Sequence, residues 1–143
     1  MAVRVQEVVI DCAVPAELAA FWGTIFGARW AAMGEGWAVV ESEPVRLAFQ
    51  QVPEAKVVKN RLHLDLKVED IEEATRVALE LGARIVTPLQ GRSRAGFAVL
   101  SDPAGNEFCF VADEDGAWEA DQLAALDAAS HHQPVTGADQ PIG

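Results

Sequence analysis

The chain has 143 residues, half of them hydrophobic, and its 22 acidic against 11 basic side chains give a formal charge of −11. That length fits one domain, or one domain built from two small similar halves, and the apolar content excludes a wholly disordered chain. The acidic balance argues against nucleic acid or anionic membrane as a partner, because both demand clustered Lys and Arg, and no apolar run approaches the roughly 20 residues that span a bilayer.

An apolar strand is expected over Val3 to Ala13. Pro15 then opens a helix at its first turn, with Leu18, Phe21, Trp22 and Ile25 at helical spacing on one face, and Gly27 stops it as a left-handed cap. Short strands follow at Arg29–Ala32, Trp37–Glu41 and Arg46–Val52, with Gly34, Gly36 and Pro44 at the bends. The same order then recurs. A strand over Arg61 to Val68 leads to Asp70 as an N-cap, and Ile71, Ala74, Val77, Ala78 and Leu81 line one helix face before Gly82. Strands are expected again at Arg84–Thr87, Gly96–Ser101 and Glu107–Val111. The last two are joined by Asp102-Pro103-Ala104-Gly105-Asn106, a turn by chemistry because Pro presets φ while Gly and Asn tolerate positive φ.

Phe26-Gly27-Ala28-Arg29-Trp30 matches Leu81-Gly82-Ala83-Arg84-Ile85 at a displacement of 55 positions, the mark of an internal duplication. The fold class is therefore α+β: two tandem βαβββ modules, residues 3–55 and 59–112, within a domain of residues 1–112. Residues 113–143 carry seven acids and no Lys or Arg, which leaves the body with 15 acids against all 11 basic groups. This acidic tail is expected to hold a short helix over 118–129, with Trp118, Leu123 and Leu126 as its large apolar residues. From Ser130 onward, His131-His132 included, it reads as unfolded. Two cysteines, Cys12 and Cys109, make no disulfide framework. Together with an N-terminus lacking a charged-then-apolar signal pattern, they suit a reducing cytoplasm.

Phe21-Trp22 followed by Phe26-Gly27, and the Asp102–Asn106 turn leading into the last strand, resemble the vicinal oxygen chelate superfamily, which includes glyoxalase I, extradiol dioxygenases and bleomycin-resistance proteins. Lys59-Asn60-Arg61-Leu62-His63-Leu64-Asp65-Leu66 is similar to a glyoxalase-like subgroup. The resemblance spans residues 3–112 and rests on order and spacing in two copies. It implies curved, mostly antiparallel sheets with helices outside and a cavity on the concave faces, commonly in a homodimer. It also implies, in metal-dependent members, one ligand from the first and last strand of each module.

Carried over residue by residue, that ligand pattern falls on His63 in module two and on Glu7 and Gln50 in module one, with Gln51 replacing Gln50 if the register slips by one. The usual last-strand glutamate position is Cys109, and Glu107 points to the same side two residues earlier. A thiol is a softer ligand than oxygen-chelate chemistry wants. The expectation is thus no intact metal site and no cofactor. The alternative is a divalent zinc, nickel, manganese or iron ion held by His63, Glu7 and Glu107 or Gln50. In that alternative Glu7 and Glu107 are the candidate catalytic carboxylates of a lyase or isomerase. An extradiol iron site is disfavoured, since it needs two histidines and the body has only His63.

The remaining candidates concern binding. His63 and Asp65 share a strand face, and Trp37, Phe49 and Phe97 offer aromatic walls, with Cys109 a small wall residue. Arg92 and Arg94, in a loop with Ser93, offer forks to an anionic ligand. No phosphate-binding glycine loop and no Gly-x-Ser-x-Gly elbow occurs. The reading is a glyoxalase-like protein that binds a small aromatic or apolar metabolite between its sheets.

Overall fold

Two apolar patterns of period two, each interrupted by one amphipathic helix, dictate the architecture. The computed structural model describes residues 2–129, so the expectation for residues 130–143, including His131-His132, lies outside the described residues. Module one runs β1 (Glu7–Cys12), α1 (Pro15–Phe26), β2 (Trp30–Met33), β3 (Trp37–Val40) and β4 (Arg46–Gln51). Module two runs β5 (Leu64–Lys67), α2 (Ile71–Glu80), β6 (Arg84–Arg92), β7 (Ala95–Ser101) and β8 (Glu107–Asp113), and α3 (Ala117–Ala129) follows. Each module forms one four-stranded sheet, ordered β1-β4-β3-β2 and β5-β8-β7-β6. In both, the first and last strands pair in parallel and the other neighbours antiparallel, so the sheets are mixed.

The helix ends follow from local chemistry. Pro15 stands at the start of α1, where its missing N–H costs no hydrogen bond. Gly27 closes α1 at φ 59°, a left-handed conformation that a Cβ would strain, and its N–H bonds the Thr24 carbonyl. Asp70 caps α2 by accepting from the Glu73 N–H at 3.1 Å. Gly23 is required for space: a Cβ there would stand 2.5 Å from the Trp30 ring, which lies across α1.

One core serves both modules. Leu18, Ala19, Phe21 and Trp22 of α1 are buried with Leu47 and Phe49 of β4, Ala98 and Leu100 of β7, and Phe108 and Phe110 of β8. Trp22 is the keystone. Its ring meets Phe108 edge-on at 4.8 Å, and its Nε1–H donates to Asp102 Oδ2 at 3.1 Å across the module seam. Asp102 is 2% exposed and also accepts from the N–H groups of Ala104 and Asn106, which is what holds the turn tight. Burial pushes its carboxyl pKa up, and those donors pull the other way.

Three strands differ from the sequence expectation by three residues or more. β5 begins at Leu64 and not at Arg61, because its first rung on β8 is Leu64 opposite Phe108, so that His63 precedes the strand. β1 begins at Glu7 and not at Val3, because its first rung on β4 is Glu7 opposite Arg46 and the residues before it have no ladder partner. β6 continues past Thr87 to Arg92. Its register shifts between Ile85 and Thr87 and again between Thr87 and Gln90, which accommodates Pro88 on an edge strand and hides the period-two pattern. Among the described residues no helix is long and apolar enough to cross a membrane.

Candidate functional site

In each sheet one set of alternate residues faces the helix and the other faces away. In sheet two, Leu64, Leu66, Phe108, Phe110, Ala98 and Leu100 pack toward the core. The opposite face carries Asp65 beside Cys109 and Lys67 beside Val111 on the β5–β8 ladder, with Phe97 beside Val111 on β7. α3 stands over this face. It is anchored by Asp113, whose two carboxylate oxygens accept the N–H groups of Trp118 and Glu119 at 3.2 and 3.0 Å and whose pKa is lowered by those bonds. Between sheet and helix lies a cavity of about 910 Å³ whose lining includes His63, Asp65, Phe97, Cys109, Asp113 and Trp118.

The floor of the cavity holds a polar cluster. His63 Nε2 lies 3.3 Å from Asp65 Oδ1. Donor atoms of His63, Asp65 and Cys109 all lie within 4.8 Å of one another, the one such group of three among the described residues. Burial pushes the Cys109 thiol pKa up, and the neighbouring Asp65 carboxylate pushes it the same way. Asp65 therefore opposes thiolate formation, and Cys109 is no preactivated nucleophile.

The other sequence candidates are held elsewhere. Glu107 accepts the Asn60 N–H at 2.9 Å and lies 3.6 Å from Lys56 Nζ; the Asn60 N–H, and then the lysine, hold its carboxyl below its ordinary pKa. Glu7 faces Arg46 at 3.7 Å. Gln50 is exposed on β4, beside Asp11 and Trp37 on the far face of sheet one. Gln51 donates to the Ala13 carbonyl at 3.1 Å. Phe49 turns the other way and is wholly buried against α1, so it packs the core and does not line a cavity.

Arg92 and Arg94 lie at the β6–β7 hairpin. They reach the acidic segment before α3, Arg94 to Glu114 at 3.2 Å and Arg92 to Asp115 at 3.9 Å. Ser93 at the tip donates to Asp70 Oδ1 at 2.6 Å and accepts from the Glu72 N–H, which docks the hairpin on the start of α2. Its position there is structural.

Sequence reasoning did not single out Lys67, Asp113 or Trp118 as lining residues. Lys67 was accessible to it, being two residues beyond Asp65 on one strand face. Asp113 lies on the face of Cys109 and Val111 but beyond the expected end of β8 at Val111. Trp118 becomes a wall residue only because α3 folds back over sheet two, which nothing in a helix with little amphipathic pattern announces.

The glyoxalase-like domain family matches this sequence over residues 7–111. No curated protein sequence matches it. Among solved structures, similarity extends to a glyoxalase/bleomycin resistance protein/dioxygenase family enzyme from Burkholderia phytofirmans. It is 18% identical, with a TM-score of 0.62, and the match covers 73% of this chain and 94% of that one. A mutant fosfomycin resistance protein from Listeria monocytogenes, complexed with Mn(II) and a dihydroxypropylphosphonic acid, is 14% identical with a TM-score of 0.65, over 81% and 94% of the two chains. The bleomycin-binding protein of Streptomyces verticillus, complexed with copper(II)-bleomycin, is 20% identical with a TM-score of 0.56, over 80% and 100%. At such identities the likeness is one of fold.

Proposed function

The chain belongs to the glyoxalase-like domain family, and from that premise we propose that it binds a small aromatic or apolar molecule in the cavity between sheet two and α3. The observation that carries this reading is the cavity itself: about 910 Å³, walled by Phe97, Val111 and Trp118, with His63 and Asp65 to fix orientation. That is the size and the mixture of apolar wall and few polar groups that small-ligand sites have. The bleomycin-binding relative supports sequestration as a role for this fold.

The oxygen-chelating divalent ion that metal-dependent relatives suggest does not fit the residues here. Of the four positions it would use, Glu7 faces Arg46, Gln50 is exposed beside Asp11 and Trp37 on sheet one, and the last-strand position holds a thiol; Glu107 is taken by Asn60 and Lys56. No lyase or isomerase step is therefore routed through them. Free Cys12 and Cys109 support a reducing compartment such as the cytoplasm. A homodimer is part of the same reading, supported by exposed Val9 and Met33 on sheet one.

A thermal-shift and tryptophan-fluorescence screen of aromatic and apolar small molecules, in the presence of chelator, tests the binding reading. Ligands that stabilise the protein are expected to lose about tenfold or more in affinity in Phe97→Ala and Trp118→Ala and to keep it in Trp37→Ala. Binding that ignores both cavity variants, or is lost in Trp37→Ala, contradicts it.

A further inference from the structure

We propose that His63, Asp65 and Cys109 form a zinc-selective site with an open coordination position on the floor of the sheet-two cavity. This site stands apart from the small-molecule reading, since the cavity can bind a molecule with or without the ion. It shares His63 and the last-strand position 109 with the arrangement that the family resemblance implies, and departs from it in adding Asp65 and drawing no donor from module one. All three donors belong to module two, and one of them is sulfur.

The strand register makes the cluster. Asp65 and Cys109 are directly paired on the parallel β5–β8 ladder, and His63, in the residue just before β5, brings its Nε2 to 3.3 Å from Asp65 Oδ1, so all three line the same cavity. Their donor atoms lie within 4.8 Å of one another. Around a tetrahedral zinc, with bonds near 2.0–2.3 Å, neighbouring donors stand roughly 3.3–3.7 Å apart. Closing that gap takes about 1 Å of side-chain rotation, and the half-exposed His63 and Asp65 are free to make it.

The donor types select the ion. Imidazole, carboxylate and thiolate suit zinc, whereas manganese and magnesium prefer oxygen ligands throughout. Three protein ligands with a fourth position left to solvent or ligand is the arrangement of zinc sites that act on a bound molecule. The lining also favours a cation, for Asp65, Asp113, Glu119 and Asp121 outnumber Lys67. On binding, the Cys109 S–H bond breaks, an S–Zn bond forms, and the proton leaves to solvent, so no other reactant is needed.

The test uses the untagged full chain, stripped with chelator and titrated with zinc against a chromophoric competitor and then with cobalt(II) as a spectroscopic stand-in. One equivalent of zinc should bind with a Kd below about 10 μM. The cobalt form should show a sulfur-to-metal charge-transfer band in the near ultraviolet. Cys109→Ser should abolish that band, and His63→Ala should weaken zinc binding about 100-fold while circular dichroism shows both variants folded. A His131→Ala/His132→Ala variant should bind as the parent does. The proposal is overturned by absent stoichiometric binding, by a cobalt spectrum without the sulfur band, or by binding that follows His131 and His132 in place of His63.

Discussion

In the first sheet β1 and β4 bring Val9 opposite Ala48; in the second, β5 and β8 bring Asp65 opposite Cys109. The two rungs correspond, since Val9 and Asp65 each stand five residues before the cap of the following helix, Val14 and Asp70. One topology thus carries an apolar rung in one copy and a polar, ligand-competent rung in the other. The difference is purely one of side chains on the face away from the helix. The two modules share a scaffold and a core, and the His63–Asp65–Cys109 cluster lies in the second, where α3 also walls a cavity. Because the helix-facing residues of both sheets meet around Trp22, the faces away from the helices can diverge without endangering the fold.

That comparison breaks most readily at the seam. Trp22→Ala empties the site between α1 and Phe108 and removes a donor from Asp102, and should cost about 3–5 kcal/mol in denaturant unfolding. A loss under about 1 kcal/mol would mean that the modules do not share a core. Asp102→Ala should cost less, about 2–3 kcal/mol, because it strands the Trp22, Ala104 and Asn106 donors but leaves the apolar contacts. Asp102→Asn, which keeps an acceptor for Trp22, should recover part of that loss.

The faces should respond differently. Phe97→Ala and Trp118→Ala, both at exposed positions, should change stability by under about 1 kcal/mol while damaging ligand binding. A large stability loss there would assign α3 a structural role in place of a cavity wall. The smallest effect is electrostatic. Glu107 has a lowered folded pKa, so its contribution to stability is present above its unfolded pKa, about 4.3, and is lost as pH falls through the lower folded value. Melting temperatures measured from pH 6 down to 3 should therefore fall more steeply in the parent than in Glu107→Gln. Parallel curves would show that the Asn60 and Lys56 contacts carry no net weight.

The elements were legible where local chemistry is strong. Pro15, Gly27 and Asp70 mark helix ends through a missing donor, a left-handed φ and a side-chain acceptor, all of which belong to one residue and its near neighbours. The turn at Asp102 was equally plain. β6 was legible only over Arg84–Thr87 and not on to Arg92, because the register shifts around Pro88 destroy the alternation by which a strand is recognised. For the site, His63, Asp65 and Cys109 were each named from sequence as ligand-binding candidates, but the juxtaposition of Asp65 with Cys109 depends on the parallel register of β5 on β8, a pairing between residues more than forty positions apart. Phe49 shows the same gap from the other side. An aromatic on a strand has two faces to choose between, and only its rung opposite Ile10 on β1 and Ala38 on β3 commits it to the core.

The most direct measurement of the central claim is residue-resolved amide chemical-shift mapping of the isotope-labelled full chain with a ligand found by the screen. Shifts confined to residues around His63, Asp65, Phe97, Cys109 and Trp118 are the predicted result. Shifts centred on Val9, Trp37, Ala48 and Gln50 would move the binding face to sheet one and contradict the account.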